Sequence, residues 1–317
     1  MDRRAFLTAA TALVLAPGAL ARARGGTPVA LVTADLESLV VAVDVRDGSV
    51  IGTIPTLAGP RSIERVGETA VVAHTAEGAV SLVDPARLRV WRVLHGFDEP
   101  RYTAASPSGR FAFITESGAA SIAVVDVIRG RVVRRLGVGG PARHVSISRS
   151  GGRLWVALGR KAARIAILDV RDPLHPEPLG RIRAPFLAHD VGFAPSGGTV
   201  WVTSGDRREL ALHDARTGHA TRRLAAGAPP QHVTFHGRLA FVTSGDDGTL
   251  RTHEAARGGL LRAARVPVGS YNVQNGSDVV VTPSLSRGTL CVADLRGRLL
   301  RRLDVARSSH DACVVVV

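Results

Sequence analysis

The chain has 317 residues, 45% hydrophobic and 21% charged, which excludes a disordered or membrane-embedded polypeptide and leaves room for one large core. Aromatic residues supply only 4%, so packing has to rest on Val, Ala, Leu and Ile. The net charge of +14 is almost all arginine, scattered through turns without interleaved stacking aromatics; this fits adhesion to acidic envelope polymers and argues against a nucleic-acid partner.

Residues 1–23 begin with charge, continue as an apolar run and end in small residues, with cleavage options after Ala21 or Ala23. Arg3 and Arg4 stand before Ala5, Phe6 and Leu7, a pattern similar to the twin-arginine export signal. The expectation is a periplasmic, envelope or secreted protein, exported already folded and so able to carry a cofactor inserted beforehand. The apolar run is too short for a good membrane span and nothing later resembles one, so the mature chain is not expected to be transmembrane.

From residue 28 onward one unit repeats. An acidic residue closes an alternating apolar run at Asp44, Asp84, Asp126, Asp169, Asp214, Glu254 and Asp294, in steps of 40 to 45 residues. A second column runs Leu31, Val71, Phe113, Trp155, Trp201, Phe241 and Val280. Two residues beyond it a third runs Thr33, Ala73, Thr115, Ala157, Thr203, Thr243 and Thr282. Each copy holds four short alternating runs separated by Gly, Pro, Asp or Ser; in the sixth these are 232–235, 238–243, 249–254 and 260–266. Four strands in about 40 residues is the signature of a propeller blade.

The prediction is all-β: a single domain over 28–317, a seven-bladed β-propeller of four-stranded antiparallel blades. Pro28–Ala34 aligns with the second strand of a blade, whereas the C-terminal segment 310–317 aligns with a first strand. The C-terminal strand should therefore join the N-terminal blade and close the ring, removing two sheet edges. A monomer is expected. Cys291 and Cys313 lie inside apolar strand-like runs and read as buried free thiols.

Two sets of residues carry a family resemblance. The stretch 199–235 alternates strands with Ser-Gly, Thr-Gly and Pro-containing turns, and the turns at Ser106-Pro107-Ser108-Gly109 and Ala194-Pro195-Ser196-Gly197 repeat one another. This resembles the YVTN-repeat β-propeller family over essentially all of 28–317, most clearly in copies three to six. The resemblance implies the fold strongly and an activity hardly at all, because such propellers include binding proteins, envelope proteins and enzymes.

The repeat separates positions set by the fold from positions free to carry function. The acidic column reads as turn-forming, since Asp accepts backbone N–H bonds there, and Trp155 and Trp201 read as packing between blades. The entries to the innermost strands converge on the central channel, and there the copies differ. One column is Arg61, Arg101, Arg143, His189, Gln231, Tyr271 and His310; the next is Ser62, Tyr102, His144, Asp190, His232, Asn272 and Asp311. Loops between second and third strands add His74, Glu116, Asp206, Asp246 and Asp247 to the same rim.

The candidate ligand site is thus Arg61, Arg101, Tyr102, Arg143, His144, His189, His232, Tyr271 and His310, with Glu116. The arginine side offers guanidinium forks for a carboxylate or phosphate, hence a small anionic ligand. On the other side His189, His232 and His310, with His144 bordering them, could ligate a transition metal or haem iron. In His189-Asp190 and His310-Asp311 adjacent residues point opposite ways, so neither Asp is expected to orient its own neighbour.

No Gly-x-Ser-x-Gly elbow, His-Glu-x-x-His, phosphate-binding Gly loop or c-type haem motif occurs, so non-catalytic binding of a small ligand or an envelope protein partner is the leading expectation. The chain is also similar at fold level to the haem-binding propeller of periplasmic nitrite reductases, with His189, His232 and His310 carrying that likeness. In addition, Gly140-Pro141-Ala142-Arg143-His144-Val145 resembles the Gly-Pro-Arg-His stretch of seven-bladed lactonases with one Ala inserted. That likeness implies hydrolysis of an anionic lactone by Arg143, His144 and Glu116.

Overall fold

The computed structural model describes residues 26–159 and 162–317; the export signal read in 1–23 lies outside the described residues. Among the described residues, twenty-eight strands, numbered in chain order, form seven separate four-stranded sheets, and neighbouring strands within each sheet pair antiparallel. Alternating apolar residues between Gly-, Asp- and Pro-containing turns allow each sheet two covered faces, and those faces pack against the neighbouring sheets. The result is a seven-bladed propeller.

One blade is shared between the chain's ends. Strand β28 (Ala312–Val316) pairs with β1 (Pro28–Ala34), which continues through β2 (Leu39–Asp44) to β3 (Val50–Pro55). The register runs from Pro28 opposite Val316 to Val32 opposite Ala312. The other six blades each use four consecutive strands. Their innermost strands are β4 (Pro60–Val66), β8 (Pro100–Ala105), β12 (Ala142–Ile147), β16 (Val191–Phe193), β20 (Val233–His236) and β24 (Gln274–Gly276).

The core is not one mass but a buried cluster at each blade junction. Between the fourth and fifth blades Trp155, Ile165 and Phe186 pack on Phe193 and Val202. Between the fifth and sixth, Trp201 packs with Leu212 and Val242, and its indole N–H donates to Ala255 O at 3.0 Å. Both tryptophans are fully buried, in keeping with their place in the apolar column. Because the junctions are made mainly of Val, Ala, Leu and Ile, two of them with no aromatic ring at all, a chain poor in aromatics can still fill them.

The acidic column makes turns. Asp44 accepts Arg46 N–H at 2.9 Å, Asp169 accepts Arg171 N–H at 3.0 Å and Asp214 accepts Thr217 N–H at 2.7 Å. Cys291 and Cys313 are buried and unpaired. Among the described residues no helix is long and apolar enough to cross a membrane.

Candidate functional site

The threonine column holds the strand entries in place. Thr115 Oγ1 accepts Tyr102 N–H at 2.9 Å and donates to Tyr102 O at 3.2 Å, and Thr33 does the same for Asp311. Thr203 Oγ1 accepts Asp190 N–H at 3.0 Å and donates to Gln231 O of the next blade at 2.6 Å. A small hydroxyl-bearing residue at this position adds hydrogen bonds to the backbone groups of the strand entries at the channel mouth.

The aspartates of the two His-Asp pairs are latches between blades. Asp190 accepts Val191 N–H at 2.7 Å and, through Oδ2, Val233 N–H of the sixth blade at 3.1 Å. Asp311 accepts Ala312 N–H at 2.9 Å and Ile63 N–H of the second blade at 3.1 Å. Burial pushes the Asp311 carboxyl well above the usual carboxylate range. Neither aspartate orients its own histidine. Asp190 Oδ2 instead lies 3.4 Å from Nδ1 of His232, on the next blade.

Three imidazoles come together at the mouth: His144, His189 and His232, from the fourth, fifth and sixth blades. One ligand atom from each lies within 4.8 Å of the others, the one such group of three histidine, cysteine or carboxylate residues among the described residues. Ring centroids are 4.6 Å apart for His144–His189 and His144–His232, and 5.3 Å for His189–His232. Tyr102 stacks on His144 at 4.0 Å. His144 is 1% exposed, and neither of its ring nitrogens has a hydrogen-bond partner. Burial, then the charges that His232 and His189 would carry, holds its pKa well below the ordinary histidine value, so it is neutral with a lone pair to give. Burial pushes the Tyr102 phenol up to about 12, so it keeps its proton.

This grouping corrects the expected one. His310 is not in the triad; it sits on the first blade, with its Nδ1 3.2 Å from Asn272 Nδ2 and its carbonyl accepting from the same amide at 2.7 Å. His144 takes its place because the inner strand of the fourth blade is irregular between Ala142 and Val145, within which Arg143 and His144 fall. The third blade has the same irregularity between Pro100 and Thr103, at Arg101 and Tyr102. An added residue in a strand re-aims the side chains beside it, which simple alternation does not anticipate.

The arginine side is already partly satisfied. Arg101 pairs with Glu99 at 3.3 Å and Arg61 stands 3.9 Å from Asp35. Arg143 lies beside the triad and, with Arg61, acts electrostatically on Tyr102 and His310. Glu116 does not reach the mouth: it is 1% exposed, takes Ser121 Oγ–H at 2.9 Å and pairs with Arg135 at 3.1 Å. A lactonase-type set of Arg143, His144 and Glu116 is therefore not assembled. His74 is buried between Ala58 O and Ser81 Oγ, and Tyr271 turns outward to Asp246 at 3.1 Å. Asp247 pairs with Arg251 at 3.2 Å.

Two channel residues lay outside the entry columns. Glu64 and Gln274, from the second and seventh blades, meet at 2.9 Å across the inner strand of the first. The signal was present as a carboxylate midway along the inner strand 60–66, directly after the buried Ile63. Burial pushes Glu64 up to about 7.

No protein-family model matches the chain, and no curated protein matches it. Solved structures do. A functionally unknown protein from Desulfotomaculum acetoxidans superposes with a TM-score of 0.80 at 9% identity, covering 91% of this chain and 99% of its own. Apo AztD from Citrobacter koseri gives 0.69 at 12% identity, covering 92% and 98%. Dihydro-heme d1 dehydrogenase NirN in complex with DHE gives 0.64 at 15%, covering 87% of this chain and 63% of that one. Identities this low establish the propeller fold alone.

Proposed function

We propose that this protein is an exported propeller of the YVTN-repeat type that binds a transition-metal ion through His144, His189 and His232. The observation that carries the reading is His144: a fully buried imidazole, both nitrogens unpartnered, facing two further imidazoles. Leaving a buried polar atom unsatisfied costs about 1–3 kcal/mol, a cost that a coordinated ion removes. In tetrahedral zinc sites, with Zn–N about 2.0–2.1 Å, ligand nitrogens stand about 3.3 Å apart. The three imidazoles already bring one ligand atom each to within 4.8 Å of one another.

Imidazole donors suit Zn, Cu, Ni and Co over Mg or Ca. Asp190 beside His232 Nδ1 supplies the outer carboxylate that commonly fixes a ligating ring, leaving His232 Nε2 for the ion. An ion fits this geometry better than haem, because Tyr102, His144 and His232 pack too closely for a macrocycle to lie between them. With three neutral donors, one coordination position stays open.

The test is titration of metal-free protein with zinc, and with cobalt for its visible spectrum. The expected result is one ion per chain, with His144→Ala, His189→Ala and His232→Ala each weakening it by about 100-fold or more and His310→Gln leaving it within a few-fold. No uptake, or uptake indifferent to the three alanine variants, overturns the reading.

A further inference from the structure

The net positive charge of the folded ring is not spread through its turns but gathered on its circumference. The fourth strand of each blade forms the outer edge of its sheet. In the second to seventh blades these strands are β7 (Arg89–His95), β11 (Arg131–Gly137), β15 (Glu177–Ala188), β19 (Ala220–Ala225), β23 (Leu260–Arg265) and β27 (Leu299–Asp304). Together they hold thirteen arginines against two acids, Glu177 and Asp304, a net charge of +11. Residues 28–317 as a whole hold 37 Lys and Arg and 26 Asp and Glu, which is also +11, so the rest of the ring is balanced.

Twelve of the thirteen arginines are exposed. Among the described residues only Arg135, with Glu116, and Arg223, with Glu209, meet a carboxylate. Charged side chains on an outer strand keep a sheet edge from pairing with another chain, but either sign serves that end. The edge of the first blade, β3, carries no charge at all. Edge protection therefore does not account for a belt of one sign.

Four strands about 4.8 Å apart put the outer strands of neighbouring blades at least about 12 Å from each other. A small anion thus meets the arginines of one blade, whereas a long flexible polyanion bridges several, each contact favouring the next. A flat membrane touches only the few blades turned toward it. Unpaired nucleic-acid bases need aromatic platforms, and Trp91 is the one exposed Trp, Tyr or Phe on the belt. Exposed Leu187, Leu261 and Leu300, set among the arginines, suit the C–H faces of sugar rings instead. We infer that the outer belt of six blades is a docking surface for an anionic polysaccharide. Its carboxylates pair with the guanidinium forks, and the chain follows the circumference from the second blade to the seventh, stopping at the uncharged first. This surface is independent of the channel histidines.

The protein, with chelator present, is titrated with polygalacturonate and with galacturonate as the single unit. Single-stranded DNA and vesicles of equal parts phosphatidylglycerol and phosphatidylcholine are run alongside. The expected result is polygalacturonate binding at least 100-fold tighter, per chain, than galacturonate, and weakening at least about tenfold between 50 and 200 mM salt. Arg92→Gln, Arg183→Gln and Arg302→Gln combined, on three blades of the belt, should lower the affinity at least tenfold. Arg207→Gln, Arg208→Gln and Arg287→Gln combined remove the same charge from exposed loops at the channel mouth and should leave it within threefold. No polygalacturonate binding at the lower salt, equal losses in the two triple variants, or tighter binding to the DNA or the vesicles overturns the inference. A chain that takes up no metal removes the metal reading and leaves this one standing.

Discussion

Removing the last seven residues, 311–317, takes away β28, the strand that closes the ring, and the Asp311 latch to the second blade. The loss is large because the strand is buried on both faces: Ala312, Cys313, Val314 and Val315 are each no more than 4% exposed. Two buried valines contribute about 1.5–3 kcal/mol each, and alanine and cysteine together about as much as one more. The ladder spans five residue pairs with β1, whose hydrogen bonds contribute about 0.5–1.5 kcal/mol apiece. The sum is on the order of 10 kcal/mol, comparable to the whole stability of an ordinary domain, about 5–15 kcal/mol. It also strips cover from the junctions on either side, since Cys313 and Val315 pack toward the second blade and Ala312 and Val314 toward the seventh. Urea denaturation followed by circular dichroism, together with limited proteolysis, should find the truncated chain without a cooperative transition. A truncated chain that unfolds cooperatively within about 2 kcal/mol of the intact one would refute the reasoning.

Other consequences concern the channel. His144→Leu should abolish zinc binding yet leave the metal-free protein as stable or slightly more stable, because it removes two buried polar atoms that have no partner; chemical denaturation with chelator present checks this. Zinc at about 100 times its dissociation constant should stabilise the intact protein by about 2.7 kcal/mol, read as a shift in unfolding midpoint that His144→Leu lacks. Glu64 is raised from about 4.5 to about 7 by burial, so the fold favours its protonated form. Its contribution is complete below pH 4.5 and is lost as pH rises through 7. Glu64→Gln should therefore gain stability over wild type progressively across that interval and keep the gain above pH 7, by about 1–2 kcal/mol once the channel's water is allowed for. His310 and His144 act with the opposite sign. Burial holds both well below the ordinary histidine value near 6.5, so the stability they lend is present above that pH and falls away as the solution is acidified.

The periodic columns determined the fold because blade formation is local. Asp44, Asp169 and Asp214 close turns within their own blades, alternation fixes which residues face a neighbour, and the mismatch of a second-strand start with a first-strand end implies the shared blade. Thr115 and Thr203 were visible as a column, but their task, pinning the entries of inner strands, depends on which carbonyls the ring brings within reach. The functional mouth was legible only as a set of polar positions. Glu116 belonged to it by register, yet Arg135 and Ser121 hold it in the blade. His310 belonged to it by type, yet Asn272 engages it. His144 meets His189 and His232 because the fourth blade's inner strand is irregular at Ala142–Val145, a feature set by how that strand pairs and packs. The ring itself was written in the repeat. The identity of the three histidines that meet was decided by tertiary packing, since an irregularity of one residue re-aims a side chain while leaving the repeat unchanged.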